Sequence, residues 1–308
     1  MNKKNFYLFY FSSTDPRSHR FMRFREEIQK RNFNFKEVNL LRDFYLASQG
    51  LIERRTNSFL EFNKNDLFWT FSNLTEIGYL FQFFKFKGIN SWFRFDSFDF
   101  SDKFFTGCFL EEIGVSVPKT TFLTSKKWLD KQIGLIGGFP CVIKNVVGSE
   151  GKAVGVVEKE SEIVNFIDDF FKKTLRDENK YPALKIGFLL QEFIAESAGT
   201  DYRVLCLEDE IIGGIKRTSQ TDDFRANVSL GGKAEAFEVP DDLAKICRQI
   251  MEKGKLFYAG LDFIKSNRGW LAIEINTSAQ FQGFEAATGI NVAGKIVEKI
   301  VEKNSFSC

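Results

Sequence analysis

The sequence predicts a chain of α/β and α+β units: an open, largely parallel sheet with helices on both faces over the first hundred residues, then two smaller units that mix helix and strand. Three observations predict this. Strand and helix signals alternate up to about residue 100. A glycine-rich loop lies between two strand signals near residue 150. Towards the C-terminus two apolar strands flank a short polar turn and a helix follows.

In the first unit, residues 1–100, Phe6 to Phe11 reads as a buried strand and Ser18 to Lys30 as an amphipathic helix carrying Phe21, Phe24 and Ile28 on one face. Phe35 to Leu40 and Asp66 to Phe71 read as further strands. Asn73 followed by Glu76 forms a capping-box pair that opens a helix running to Phe86. In the second unit, residues 101–185, a helix from Ser101 ends at Gly114, an extended stretch surrounds Pro118, and a helix from Ser125 stops at Gly137-Gly138. The strand Pro140 to Val146 leads into a loop with Gly148, Gly151 and Gly155, a second strand at Val154 to Glu158, and a helix capped by Ser161. The polar stretch Arg176 to Pro182 marks the boundary. The third unit, residues 186–308, opens on the apolar strand Phe188 to Ile194. A hairpin around Glu208-Asp209-Glu210 follows, then a helix from Asp241 to Lys255, strands Tyr258 to Lys265 and Trp270 to Asn276, and a last helix from Asn291. No internal repeat or low-complexity tract occurs.

With 308 residues, 44% apolar and 27% charged, the chain has the balance of a soluble globular protein, and its 37 Phe residues predict a core rich in rings. A net charge of +2 with both signs interspersed argues against a dedicated nucleic-acid binder. No apolar stretch approaches the ~20 residues of a membrane span, and no signal peptide is evident. Cys108, Cys141, Cys206, Cys247 and Cys308 are scattered and suit reduced thiols in the cytoplasm rather than a zinc site or disulfide framework. The lone histidine, His19, excludes a multi-histidine metal site. At a helix start it reads as a solvated or partly packed side chain, with a lone catalytic base as the alternative.

The most informative segment is Gly260 to Asn276. A three-residue loop, Asn267-Arg268-Gly269, places Gly where such hairpins need positive φ. That register pairs Asp262 with Glu274, sets Asn276 on the same face, and puts Gly260 opposite Asn276, leaving room for a ligand. Facing carboxylates repel unless a cation joins them, and two carboxylates with an amide oxygen suit Mg²⁺. An exposed polar hairpin face is the other reading. Lys144 sits in the apolar strand Cys141 to Val147 and needs a partner or an anionic ligand. The glycines of Gly148-Ser149-Glu150-Gly151-Lys152-Ala153-Val154-Gly155 let backbone N–H groups approach phosphate oxygens, although a plain turn explains them as well. Ala153 stands where a P-loop carries Ser or Thr. Glu192, at the end of the strand Leu189-Leu190-Gln191-Glu192-Phe193-Ile194, could accept from an adenine amino group or a ribose, or be a solvated carboxylate on a core strand. Arg203 shares a face with Asp201 and offers a fork for a phosphate oxygen. Asp222 to Asn227 is a charged loop that surface solvation also explains.

Taken together and in this order, these segments resemble the ATP-grasp superfamily, in particular its RimK-like branch, typified by the ribosomal-protein S6 glutamate ligases. The matching stretches are Asp102-Lys103, Pro140 to Gly155, Gln191 to Arg203, Asp223 to Gly232, Gly260 to Ile264, Glu274 to Ser278 and Glu285 to Ala293. The resemblance is specific from Asp102 to Lys295 and architectural before that. It implies a pre-ATP-grasp α/β lobe followed by two α+β lobes that clamp ATP, with the glycine loop as a flap. It implies that Lys103, Lys144, Ser149 and Gly151 contact the phosphates, and that Gln191, Glu192, Phe193 and Ile194 receive adenine and ribose. Asp201 would be a nucleotide ligand. Arg203 and Arg225 would be catalytic, with Asn227 beside them, and Asp262, Glu274 and Asn276 would hold one or two Mg²⁺ ions, or Mn²⁺ in their place. The reaction implied is ligation: a carboxylate takes the γ-phosphate of ATP to give an acylphosphate, and an amine then displaces phosphate.

The acceptor expected is an amino acid such as glutamate, or a peptide or protein; no nucleic-acid or membrane partner is expected, and a homo-oligomer is compatible. Other readings are a ligase that makes amide or ester crosslinks in a ribosomally made precursor peptide, a non-catalytic ATP-binding protein, and a kinase of the same fold. Close relatives carry Ser-Pro-Gly after the metal asparagine. This chain has Ser278-Ala279-Gln280, with Gln282 beyond, a difference that falls on the acceptor pocket.

Overall fold

The computed structural model describes residues 4–10, 18–40, 42–47, 50–63, 65–71, 75–89, 100–146, 153–174, 187–220 and 232–305. The first unit runs β1 (Asn5–Tyr10), α1 (His19–Lys30), β2 (Asn34–Asn39), β3 (Phe44–Ala47), β4 (Gly50–Glu53), β5 (Ser58–Phe59), β6 (Leu67–Thr70) and α2 (Thr75–Phe86). Strands β2-β1-β6 form the expected parallel sheet. Every residue of β1 after Asn5 is buried, and alternate side chains serve opposite faces. Phe6, Leu8 and Tyr10 pack with Phe21, Phe24 and Ile28 of α1, while Tyr7 and Phe9 pack with Leu80 and Phe84 of α2. The rings mesh edge-on, as in Phe24 on Phe71 at 4.6 Å and Phe62 on Phe84 at 5.0 Å. The antiparallel sheet β3-β4-β5 is an addition that the sequence reading lacked. Asn73 lies outside the described residues, so the expected capping box does too.

Next come α3 (Lys103–Glu112), β7 (Thr120–Leu123), a 3-10 turn at Lys126–Trp128, α4 (Leu129–Leu135), β8 (Cys141–Asn145), β9 (Val154–Val157), α5 (Glu160–Thr174) and β10 (Phe188–Glu192). The sheet order is β7-β10-β8-β9. This corrects the boundary drawn at residue 185. Strand β10 does not open the last unit but lies between β7 and β8, antiparallel to both. Its Phe188, Leu189 and Leu190 are buried, and only an inner strand covers both faces of such a run. The chain leaves this sheet at a 3-10 turn, Ala195–Ser197.

The remainder is β11 (Thr200–Leu207), β12 (Glu210–Thr218), β13 (Lys233–Phe237), α6 (Asp241–Lys253), β14 (Tyr258–Ser266), β15 (Gly269–Asn276), α7 (Gln282–Thr288) and α8 (Val292–Ser305). The five-stranded antiparallel sheet runs β13-β12-β11-β14-β15. One face packs Val204, Leu261, Phe263 and Ile275 on α6 through Leu243, Cys247 and Ile250. The other face and α8 join the core of the first unit, where Leu205 and Ile296 pack with Phe24 and Trp69. Strand β13 and helix α7 were not foreseen. Among the described residues no helix is long and apolar enough to cross a membrane.

Candidate active site

Register alone gathers Asp201, Arg203, Asp262, Glu274 and Asn276 on one face of the five-stranded sheet. Asp201 on β11 lies opposite Arg217 on β12; Arg203 on β11 lies opposite Asp262 on β14; Asp262 lies opposite Glu274, and Gly260 opposite Asn276, on β15. Directly opposed residues share a face, as do neighbours two apart on one strand.

The carboxylate pairing is as expected, but its cause is different. Ser266 pairs with Gly269, so the connection is two residues, Asn267-Arg268, and the pairs run one step short as far as Phe263 with Ala272. An irregularity between Asp262 and Phe263 then restores the offset, with Ile273 as the extra residue on β15. Without that bulge Ile273 would face Asp262 and Glu274 would turn to the core. Gly269 has the positive φ expected of it, 96°. Gly260 leaves no room for a ligand: a Cβ there would stand 2.7 Å from the Cβ of Ala279. The glycine is needed because the segment after Asn276 crosses directly over it.

Two arginines neutralise the buried carboxylates. Arg203 donates Nε and Nη2 to Asp262 Oδ1 and Oδ2, both at 2.7 Å. Arg217, which the sequence reading passed over, donates Nε and Nη2 to Asp201 at 2.5 and 2.8 Å, and Nη2 also reaches Asp262 Oδ2 at 3.0 Å. Burial pushes the Asp262 carboxyl up, but the charges of Arg203 and Arg217 and their hydrogen bonds outweigh it and hold its pKa below the ordinary value. Asp201 is raised: burial drives it up, Arg217 opposes, and the Asp262 charge adds to the rise. Glu274 is half-buried and has no ion-pair partner among the described residues. The described residues include no group of three or more His, Cys, Asp or Glu side chains arranged for a metal, so a cation here would need the Asn276 amide. Its Oδ1 also accepts from the Ser278 backbone N–H at 3.1 Å.

The four-stranded sheet supplies the facing side. Lys144 on β8 is buried, and its Nζ donates to Gln191 Oε1 at 3.0 Å, while Gln191 Nε2 donates to Thr120 Oγ1 at 2.7 Å. Burial and the nearby Lys103 charge pull the Lys144 pKa down to about 8, against the opposing effect of Glu274. The two lysines and Glu274 therefore sense one another across the two sheets. Asp102 Oδ1 caps α3 by accepting from the N–H groups of Phe104 and Phe105, and the Lys103 N–H donates to Val146 O at 2.8 Å, fixing the helix start to the end of β8.

Glu192 is less open than expected. Its Oε2 accepts from Arg268 Nη2 at 2.6 Å and from the Lys119 N–H at 3.2 Å. Asn267 N–H donates to Glu196 Oε1 at 3.3 Å, and Ser197 Oγ donates to Lys265 O. The tip of the carboxylate hairpin is thus clasped to the segment of Phe193 and Ile194, where the two sheets join. Ser149, Gly151, Arg225 and Asn227 lie outside the described residues. A cavity of about 590 Å³, lined by Arg248, Glu252 and Lys303 among others, contains none of these residues.

This arrangement, two sheets facing across a cation-and-carboxylate cleft, is that of the ATP-grasp fold. A D-alanine–D-alanine ligase from Bacillus anthracis superposes with a TM-score of 0.69 at 16% identity, over 98% of both chains. The ATP-grasp ligase PsnB, complexed with a phosphomimetic variant of a minimal precursor, Mg and ADP, superposes with a TM-score of 0.68 at 14% identity, over 99% of both chains. At these identities the likeness concerns the fold. Residues 100–300 match the RimK-like ATP-grasp domain, and the chain belongs to that family. A probable alpha-L-glutamate ligase of Legionella pneumophila is 36% identical over 202 residues, which are 66% of this chain and 63% of that protein, less than two thirds of its length.

Proposed function

We propose that this chain is an ATP- and Mg²⁺-dependent ligase that joins a carboxylate to an amine through an acylphosphate, with an amino acid such as glutamate, or a peptide or protein, as substrate. The observation that carries this reading is Glu274, without an ion-pair partner among the described residues, held opposite buried Asp262, beside Asn276 and across from Lys144 and Lys103. The donor set is all oxygen, and it lies where the phosphates of a nucleotide clamped between the sheets would run. It fits Mg²⁺ completed by phosphate oxygens. The ion, one or two in number, would supply positive charge to the transferring phosphate and orient it.

The chain's own residues do the rest. Lys144, held by Gln191, and Lys103 bind phosphate oxygens. Arg203 gives Nε and Nη2 to Asp262, which leaves Nη1 to reach the γ-phosphate, and its charge offsets that of the phosphate as the substrate carboxylate attacks. Phe193 and Ile194 receive the base, and the Glu192–Arg268 clasp keeps the carboxylate hairpin in register with them. Asp201 orients Arg217, which buffers Asp262. We carry the roles of Ser149, Gly151, Arg225 and Asn227 from sequence alone. The buried, free Cys141, Cys206 and Cys247 suit a cytoplasmic setting.

A second reading, modification of a precursor peptide, is favoured by Ala279-Gln280 in the segment over Gly260 and by the likeness to PsnB, whose structure holds a precursor. A screen of ADP release with amino acids and short peptides, followed by mass analysis of the product, separates the two. Glu274→Gln is expected to lower acceptor-dependent ADP release by at least about 100-fold, with an unchanged circular-dichroism spectrum. Full turnover in that variant would reject the metal assignment.

A further inference from the structure

Arg20 differs from the other arginines of α1 and its C-cap. Arg23 pairs with Glu26 and Glu285, Arg25 with Glu37, and Arg31 with Glu27. Arg20 has no carboxylate partner among the described residues. Its Nη1 donates to Ser278 O at 3.0 Å and Ser278 Oγ at 3.3 Å, and its guanidinium lies over the Phe71 ring, 4.7 Å from the centroid. Its Nε is buried with no hydrogen-bond partner among the described residues. Burial pulls its pKa down to about 10, so it is still a cation at neutral pH. Two further buried polar atoms in the same turn also have no partner among the described residues, Ser18 Oγ and His19 Nδ1. Buried polar groups are almost always paired, and three exceptions in consecutive residues need a cause.

Position suggests the cause. In an open parallel sheet, ligands bind outside the carboxyl ends of the strands. Arg20 stands in the first turn of α1, which follows the carboxyl end of β1, and rests on Phe71, which follows that of β6. Its other contact, Ser278, lies two residues beyond Asn276 and donates its N–H to the Asn276 side chain. Arg20 therefore joins the first unit to the segment that leaves the candidate metal site. That segment carries Ala279-Gln280, and Arg20 itself lies outside residues 100–300 matched by the family.

We propose that Arg20 binds a non-reacting carboxylate of the substrate amino acid, and so selects a substrate with a side-chain carboxylate. The inference rests on the ligase reading and assigns part of its substrate pocket to the first unit. Among the described residues Nε and Nη2 have no hydrogen-bond partner, and these two donors match the geometry of a carboxylate. Phe71 holds the plane and Ser278 fixes the remaining edge.

The test is calorimetric titration of the protein, loaded with Mg²⁺ and a non-hydrolysable ATP analogue, with L-glutamate and with L-glutamine. The wild-type protein is expected to bind L-glutamate more tightly than L-glutamine. Arg20→Gln is expected to weaken L-glutamate about 10- to 100-fold and to leave L-glutamine little changed; Arg20→Lys should retain part of the preference. Equal loss for both ligands in Arg20→Gln shows a structural clamp on Ser278 and overturns the proposal. So does undiminished L-glutamate binding in Arg20→Gln, or no binding of L-glutamate to the wild type. Binding of the nucleotide analogue in the same cell and ADP release with other acceptors report separately on the ligase reading, which can stand when this proposal falls.

Discussion

Arg217 shows how much one side chain can decide. It is 5% exposed and bonds Asp201 and Asp262 at once. A buried carboxylate is tolerable only when paired, and removing one partner leaves the other charge uncompensated. Arg217→Met is therefore expected to cost about 3–5 kcal/mol, read as a lower urea midpoint. A change within 1 kcal/mol would mean that Arg203 alone suffices. Nothing in the sequence marks this residue: the β11–β12 register gives it Asp201 and the β11–β14 register brings Asp262 alongside. Asp262, Glu274 and Lys144 stood out in the sequence because each breaks a local rule, whereas Arg203 drew notice from its spacing to Asp201 and from the family resemblance. A lysine in an apolar strand, or a carboxylate opposite another, needs a reason.

Among elements, a buried acid of α1 bonds the residue that precedes α8. Glu27 is 3% exposed and accepts from Lys30 Nζ at 2.8 Å, Arg31 Nη1 at 2.7 Å and Asn291 Nδ2 at 3.0 Å. Burial pushes its pKa up, but these hydrogen bonds prevail and hold it at about 2, below its usual 4.5. A depressed carboxyl contributes its full stabilisation above the unfolded-state value. That contribution is lost as pH falls from about 4.5 towards 2. The urea midpoint of the wild type should therefore drop more steeply than that of Glu27→Gln as the buffer is taken from pH 6 to pH 3; parallel curves would show that Glu27 titrates normally. Elements also show where sequence reading stops. The periodicity of Phe21, Phe24 and Ile28 disclosed α1. Strand β10 was found but assigned to the wrong sheet, because an apolar run announces burial without naming its neighbours. In the carboxylate hairpin a shorter turn and a bulge at Ile273 compensated each other, so the pairing came out right through a register that was wrong at its tip.

At the scale of the molecule, the candidate site belongs to no single sheet. Lys144 and Gln191 come from the four-stranded sheet, Asp262 and Glu274 from the five-stranded one, and the Glu192–Arg268 ion pair ties the two near the point where the chain passes between them. A nucleotide bound there would replace the mutual repulsion of Lys103 and Lys144 with attraction from both lysines to phosphate, and its Mg²⁺ would give Glu274 a cation, which it has from none of the described residues. Ligand present only in the folded state adds stability according to its concentration over Kd, about 2.7 kcal/mol at 100 times Kd. For a chain of this size that is a rise in Tm on the order of 5 °C. Differential scanning fluorimetry with ADP should show such a rise, larger with Mg²⁺ than with EDTA. Lys144→Met should reduce the shift under both conditions, because it removes the phosphate contact proposed for this lysine. Asp262→Asn should remove only the increment due to Mg²⁺, because it weakens the cation site and leaves the phosphate lysines in place. If the wild type shifts equally with Mg²⁺ and with EDTA, the carboxylate face is not a metal site, and the pairing of Asp262 with Glu274 is then held by Arg203 and Arg217 alone.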